Sequence, residues 1–175
     1  MILFQICLIL LFTCANLTAQ SVDREKKVSK RNVPLAVLDT FKVHYPDAQK
    51  IKYYQEISEG KPFWEIEFRL GNTSKAATYD EKGMLLQTEQ LIGFSQLSDS
   101  LEKSIRLYLD SNFSKYQIKK VELVFAPKQH SPQMVEITIW SRSKSYYGVA
   151  ELFFDDKGRE VKQRNYEFQS VPTAF

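Results

Sequence analysis

The chain has 175 residues, 43% of them hydrophobic and 26% charged, with a formal net charge of +3 at pH 7. That composition describes a folding chain rather than a disordered one, and 24 Lys and Arg among 21 Asp and Glu leave no basic footprint for nucleic acid. Both cysteines, Cys7 and Cys14, precede the first charged residue, so the remainder has no thiol nucleophile, thiolate metal site or disulfide.

The opening segment is apolar from Ile2 to Leu17 except for Gln5, Thr13 and Asn16, and it ends Leu17-Thr18-Ala19 on a small residue. An apolar run followed by a small-residue site predicts a secretory signal peptide over residues 1–19, and with it export to the periplasm or beyond. The alternative is a retained anchor, but the run falls short of the ~20 apolar residues that span a bilayer. No membrane span is expected after cleavage. Residues 20–32 hold five basic and two acidic side chains with valine as the single aliphatic type. They read as a charged linker.

From residue 33 the pattern becomes helical. Val33, Val37, Phe41 and Tyr45 recur at spacing four with Leu38 beside them, Pro34 suits the first turn, and Pro46 stops the run. Alternating segments follow: Lys50 to Ile57, Phe63 to Leu70, Thr73 to Tyr79, the turn Asp80-Glu81-Lys82-Gly83, and Met84 to Leu91. Period-two alternation bounded by Gly and Asp turns predicts antiparallel strands with one buried face. In Phe63 to Leu70, that face carries Trp64, Ile66, Phe68 and Leu70.

The order then repeats. Leu97, Leu101, Ile105, Tyr108 and Leu109 form a second helical stripe, and Gln117 to Phe125, Met134 to Trp140, Tyr146 to Phe154 and Arg159 to Phe168 follow as strands, with Asp155-Asp156-Lys157-Gly158 as the turn. Phe41 to Tyr108 and Ile51 to Ile118 are both 67 apart, Glu65 to Glu136 is 71, and Asp80 to Asp155 is 75. The offset grows only where hairpin loops fall, and insertions collect in loops. The fold class is therefore α+β: a tandem α-β-β-β-β repeat, residues 33–94 and 95–170, in which one antiparallel sheet carries both helices on one face.

Val33-Pro34, Phe41, Tyr45-Pro46, the strand Phe63-Trp64-Glu65-Ile66-Glu67-Phe68 and the turn Tyr79-Asp80-Glu81-Lys82-Gly83 resemble the exported bacterial proteins called PepSY-like or beta-lactamase-inhibitor-like. The second unit keeps the helix, the strands and Phe154-Asp155-Asp156-Lys157-Gly158, but has Ser98 in place of the proline and no Tyr-Pro. The resemblance implies a helical layer on one face of an antiparallel sheet, with the other face open. The inhibitor of the family name binds its target through that open face. No residue here matches its contacts, so the fold is carried over and the target is not.

Catalytic and metal signatures are sparse. His44 and His130 lack an acid and a nucleophile at informative spacing, and they read as helix-end and loop residues. Asp80-Glu81 and Asp155-Asp156 precede Lys-Gly and read as hairpin turns rather than calcium loops. Neither a metal nor a cofactor is expected. Aromatic residues are the excess, at 12 Phe, nine Tyr and two Trp. Alternation sends Phe63 and Trp140 to the face opposite the core, and Tyr146-Tyr147 must turn one ring outward. Such rings serve as binding anchors, or as ordinary cross-strand pairs on a solvated face. The expected function is a non-catalytic binding module that holds a protein, peptide or small ligand on its open sheet face. Phe63, Trp140, Tyr146 and Tyr147 would make contact, and Glu65, Glu67 and Glu136 would set the charge. The alternatives are an envelope assembly accessory and, less favoured, a hydrolase using Glu65, Glu67 or Glu136.

Overall fold

The structure is a computed structural model that describes residues 24–58, 60–142 and 147–167. The leader over residues 1–19 lies outside the described residues, as does Tyr146. In chain order the elements are β1 (Arg24–Val28), α1 (Leu35–His44), β2 (Gln49–Ser58), β3 (Lys61–Leu70), β4 (Thr73–Tyr79), β5 (Leu85–Leu91), α2 (Asp99–Asn112), β6 (Tyr116–Phe125), β7 (Met134–Arg142), β8 (Tyr147–Phe154) and β9 (Glu160–Glu167). Short 3-10 turns, Lys30–Asn32 and Phe94–Gln96, lead towards the two helices.

All nine strands form one antiparallel sheet in sequence order, β1 to β9. Hairpins dictate this order, because each tight turn returns the chain beside the strand it has just left. The two Asp-x-x-Gly turns share one design. The Asp80 carboxylate accepts the backbone N–H groups of Lys82 and Met84 at 2.9 and 2.8 Å, and Asp155 does the same for Lys157 and Arg159 at 3.0 and 2.9 Å. Gly83 and Gly158 have φ of +79° and +75°, and an added Cβ would strike the Ala36 carbonyl of α1 or the Ser104 side chain of α2. Only glycine meets both the conformation and the close approach.

The helices differ from expectation in one detail. Pro34 is itself the N-cap of α1 rather than a first-turn residue, with its carbonyl accepting the N–H groups of Val37 and Leu38 at 3.1 Å each. Ser98 caps α2, whose first turn carries Asp99 and Glu102 at the positive end of the helix dipole. Val33, Val37 and Phe41 pack with Trp64, Ile66, Phe68, Ala77 and Tyr79. Leu97, Ile105 and Leu109 pack with Val121, Val135, Ile137, Ile139, Ala150, Leu152 and Phe154. Residues directly opposite in a sheet share a face, and the row Phe68, Lys75, Gln90, Leu123, Val135, Phe154 links the two clusters through successive pairings. Both helices therefore cover the same face. Edge-to-face contacts of Phe41 with Phe68, at 5.2 Å, and of Tyr108 with Phe154, at 5.3 Å, fix helix on strand. Each is worth about 0.5–1.5 kcal/mol beyond area burial.

Two expectations need correction. Within the proposed 20–32 linker, Arg24–Val28 forms β1, paired from Arg24↔Ile57 to Val28↔Tyr53. An edge strand needs only its backbone ladder and an anchor, here Val28 against the first core cluster, and charged side chains suit an exposed edge. The second correction concerns the face away from the helices, which is curled rather than open. Arg164 of β9 reaches Glu56 of β2 at 3.2 Å, 108 residues away in sequence, across a sheet in which seven steps separate those strands. Right-handed twist accumulates over so many strands, and a long antiparallel sheet coils on itself.

Candidate functional site

The concave face is set by the same alternation that builds the core. Tyr54, Glu65, Thr78 and Gln87 form one transverse row, and Glu122, Glu136, Phe153 and Lys162 form another. Curling brings these rows together. Glu56, Glu65, Gln87, Glu89, Lys120, Glu136, Glu151 and Arg164 line a cavity of about 30 Å³, room for one or two water molecules and no organic substrate.

Carboxylates crowd the interior. Glu122 and Glu136 stand directly opposite on β6 and β7, and oxygens of Glu89, Glu122 and Glu136 lie within 4.8 Å of one another. All three are buried, at 4–6% exposure. Burial pushes the Glu89 carboxyl up to about 7, and the neighbouring Glu122 adds to the effect. Burial also lifts Glu136 well above its ordinary value, reinforced by Glu89, Glu151 and Glu122. Glu122 is raised by burial as well, with Lys120 working against the shift.

Cations partly balance this charge. The Lys120 ammonium forms an ion pair with Glu122 Oε2 at 2.9 Å. Burial alone would lower the lysine pKa, but Glu122, with Glu65 and Glu136 behind it, raises it on balance. Arg164 bridges Glu56 at 3.2 Å and Glu151 at 3.7 Å, and Gln87 donates to Glu89 at 2.7 Å. The carboxylate triad has metal-ligand spacing, but a metal ion would have to compete there with a fixed ammonium.

At one end the concave face opens into a cleft of about 280 Å³ lined by Lys50, Lys52, Glu67, Phe68, Arg69, Ser74, Lys75, Ala76, Leu91, Lys120 and Glu122. Lys120 lines cavity and cleft alike.

The residues expected from sequence are divided among these places. Glu65 and Glu136 meet in the cavity. Glu67 lies in the cleft, held by Lys52 at 2.9 Å and the Tyr54 hydroxyl at 3.2 Å. Phe63 is half-buried near the start of β3, opposite Glu56. Trp140 is 47% exposed near the end of β7 with the Lys119 ammonium 4.2 Å from its ring centre. Because β3 and β7 run in the same direction, Phe63 and Trp140 sit towards opposite ends of the face and make no single patch. Tyr147 opens β8 opposite Arg142. His130 and His44 are both exposed.

Sequence reasoning missed Glu56, Glu89, Lys120, Glu122, Glu151 and Arg164. A signal existed for Glu122: it is a lone acid inside the apolar run Val121-Glu122-Leu123-Val124-Phe125, which marks a charge buried among core residues. Glu136, between Val135 and Ile137, carries the same mark.

No family model and no curated protein matches the chain. Solved structures share its fold. A DUF2874 family protein from Bacteroides ovatus matches with a TM-score of 0.52 at 20% identity, over 75% of this chain and 86% of its own. A BLIP-like protein from Bacteroides fragilis matches at 0.50 and 16%, over 79% and 90%. A chain from Bacteroides eggerthii, described as a candidate periplasmic protein, matches at 0.54 and 18%, over 76% and 88%. Identities this low establish a shared BLIP-like fold, a curled antiparallel sheet with two helices. Among the described residues, no helix is long and apolar enough to cross a membrane.

Proposed function

We propose that this protein is an exported, non-catalytic binding module whose ligand enters at the mouth of the concave sheet face. The leader at residues 1–19 and the periplasmic description of the B. eggerthii neighbour support export to the periplasm. The carrying observation is the division of the concave face. Its centre keeps about 30 Å³ among fixed carboxylates, whereas its end offers about 280 Å³, close to the lower limit for ligand pockets. The hydrolase alternative loses support on the same ground. Glu65 and Glu136 face a space that admits water alone, and Glu67 is tied to Lys52 and Tyr54.

The chain also reads as a tandem of two PepSY-like units. Each Asp-x-x-Gly turn makes the same two side-chain bonds, and each presses its glycine on the helix of its own half. The test of function is capture from envelope extract by the wild-type protein beside Ser74→Trp, which fills the cleft from its wall. A partner or ligand held by the wild type and lost by Ser74→Trp supports the reading. Equal retention by two equally folded proteins places binding elsewhere.

A further inference from the structure

The cleft at the mouth carries an unbalanced charge. Its two acids are each matched within it, Glu67 to Lys52 and Glu122 to Lys120, both at 2.9 Å. Two cations remain. Among the described residues, Lys50 and Arg69 have no carboxylate partner, whereas Lys75 belongs to the helix-side row and bonds Gln90 of that row at 3.2 Å. The backbone contributes as well. Pairing of β2 with β3 slips between Gln49 and Lys52, and Lys50 takes a positive φ of 52°. A bulge of this kind re-aims side chains, and Lys50 lines the cleft. The apolar lining on this face is the buried Ala76 and Leu91, the latter 43% exposed, because the Phe68 ring lies on the helix side against Phe41.

We infer that the cleft is a binding site for an organic carboxylate, its charged group received by Arg69 with Lys50 and its short aliphatic body laid on Leu91 beside Ala76. This rests on the binding-module reading and gives it a ligand class. Arginine's planar fork fits a carboxylate bidentately, and Lys50 adds point charge beside it. Two unpaired like charges at one concavity repel each other, and an entering anion relieves that repulsion while releasing water from the exposed Leu91. The volume limits the body to a small acid or the last residue or two of a peptide.

The test is a titration followed by amide shifts in ¹⁵N–¹H spectra of the mature protein. The probes are 4-methylpentanoate, acetyl-Ala-Leu with a free carboxylate, the same peptide as its amide, and inorganic phosphate. Either carboxylate should move the amides of Glu67, Arg69, Ser74 and Leu91, and raising the salt to about 0.5 M should weaken the effect. Arg69→Gln should weaken it about tenfold, the scale of one lost charge-assisted pair, and the exposed Lys50→Gln should weaken it severalfold without touching the fold. Binding of the free acid alone identifies a small-molecule ligand, and binding of the peptide alone identifies a chain end; both outcomes support the site. The inference is overturned if neither carboxylate shifts these amides, if the peptide amide or phosphate binds as tightly, or if both variants bind like wild type. Should the carboxylates fail while Ser74→Trp still loses a captured partner, the ligand class falls and the binding reading stands.

Discussion

Glu89→Gln tests whether the acidic interior is real. Glu89 is 4% exposed, and its carboxyl is held at about 7 against an ordinary 4.5, by burial first and by the charge of Glu122 second. A carboxyl raised in the folded state binds its proton more tightly there than in the unfolded chain. Between about pH 4.5 and 7 the folded state therefore holds the extra proton, and stability falls as pH rises through that window. The contribution of Glu89 is complete below the unfolded value and lost above the folded one. The difference of about 2.5 pH units corresponds to about 3 kcal/mol at ~1.4 kcal/mol per unit. Glu122 and Glu136 shift in the same direction, so the wild-type slope belongs to the cluster rather than to one residue. Glutamine has the same shape, keeps an oxygen for the Gln87 amide that now donates at 2.7 Å, and cannot ionise. Urea unfolding at pH 5 and pH 8 should show wild type losing about 3 kcal/mol or more, with Glu89→Gln losing clearly less and gaining stability at pH 8. A wild-type stability that stays flat or rises over this range, or an unchanged slope in the variant, would refute the reasoning.

Lys120→Met removes the ammonium beside the buried Glu122 and should cost about 1–3 kcal/mol at pH 8, less than breaking a fully buried pair because the lysine side chain is 35% exposed. The loss should be smaller at pH 5, where the carboxyls take up protons, and urea melts at the two pH values check it. Gly83→Ala forces a Cβ towards the Ala36 carbonyl at positive φ and should lower stability by about 1–3 kcal/mol, read from the denaturation midpoint. Arg164→Met cuts the tie from β9 to Glu56 and Glu151. It should speed hydrogen exchange in β1 and β9 ahead of the central strands, whereas uniform acceleration would mean the curl does not depend on this contact.

Much of the fold was legible because the sheet is local. Each strand pairs with its sequence neighbour, so alternation and turn residues suffice to order it. Trp64, Ile66, Val135 and Ile137 face the helices as their periods require. Two features escaped for physical reasons. β1 lies in a segment without an apolar face, and its ladder with β2 is a backbone property that composition does not report. The curl arises from twist summed over the strands, so no single residue encodes it. That summation turned an expected platform into a cavity, separated Phe63 from Trp140, and gathered Glu89, Glu122 and Glu136, which come from three different strands.

The curl also redistributes charge. The acids on the concave face point into a space where burial favours their protonated form, Glu89 and Glu136 above all. At the rim, Lys50 and Arg69 have no carboxylate partner among the described residues, because the two acids of the cleft, Glu67 and Glu122, are taken by Lys52 and Lys120. A formal +3 for the whole chain therefore understates the positive field at the mouth, because negative charge counted in that sum is neutralised or hidden inside. Clefts with low-dielectric walls concentrate such a field. Buried ion pairs are a weak source of stability, and an apolar pair of similar volume often serves as well or better. What the arrangement does achieve is to turn Glu89 and Glu136 inward and to pair Glu67 and Glu122 with Lys52 and Lys120, leaving Lys50 and Arg69 to make the cleft basic on a protein that is nearly neutral in sum.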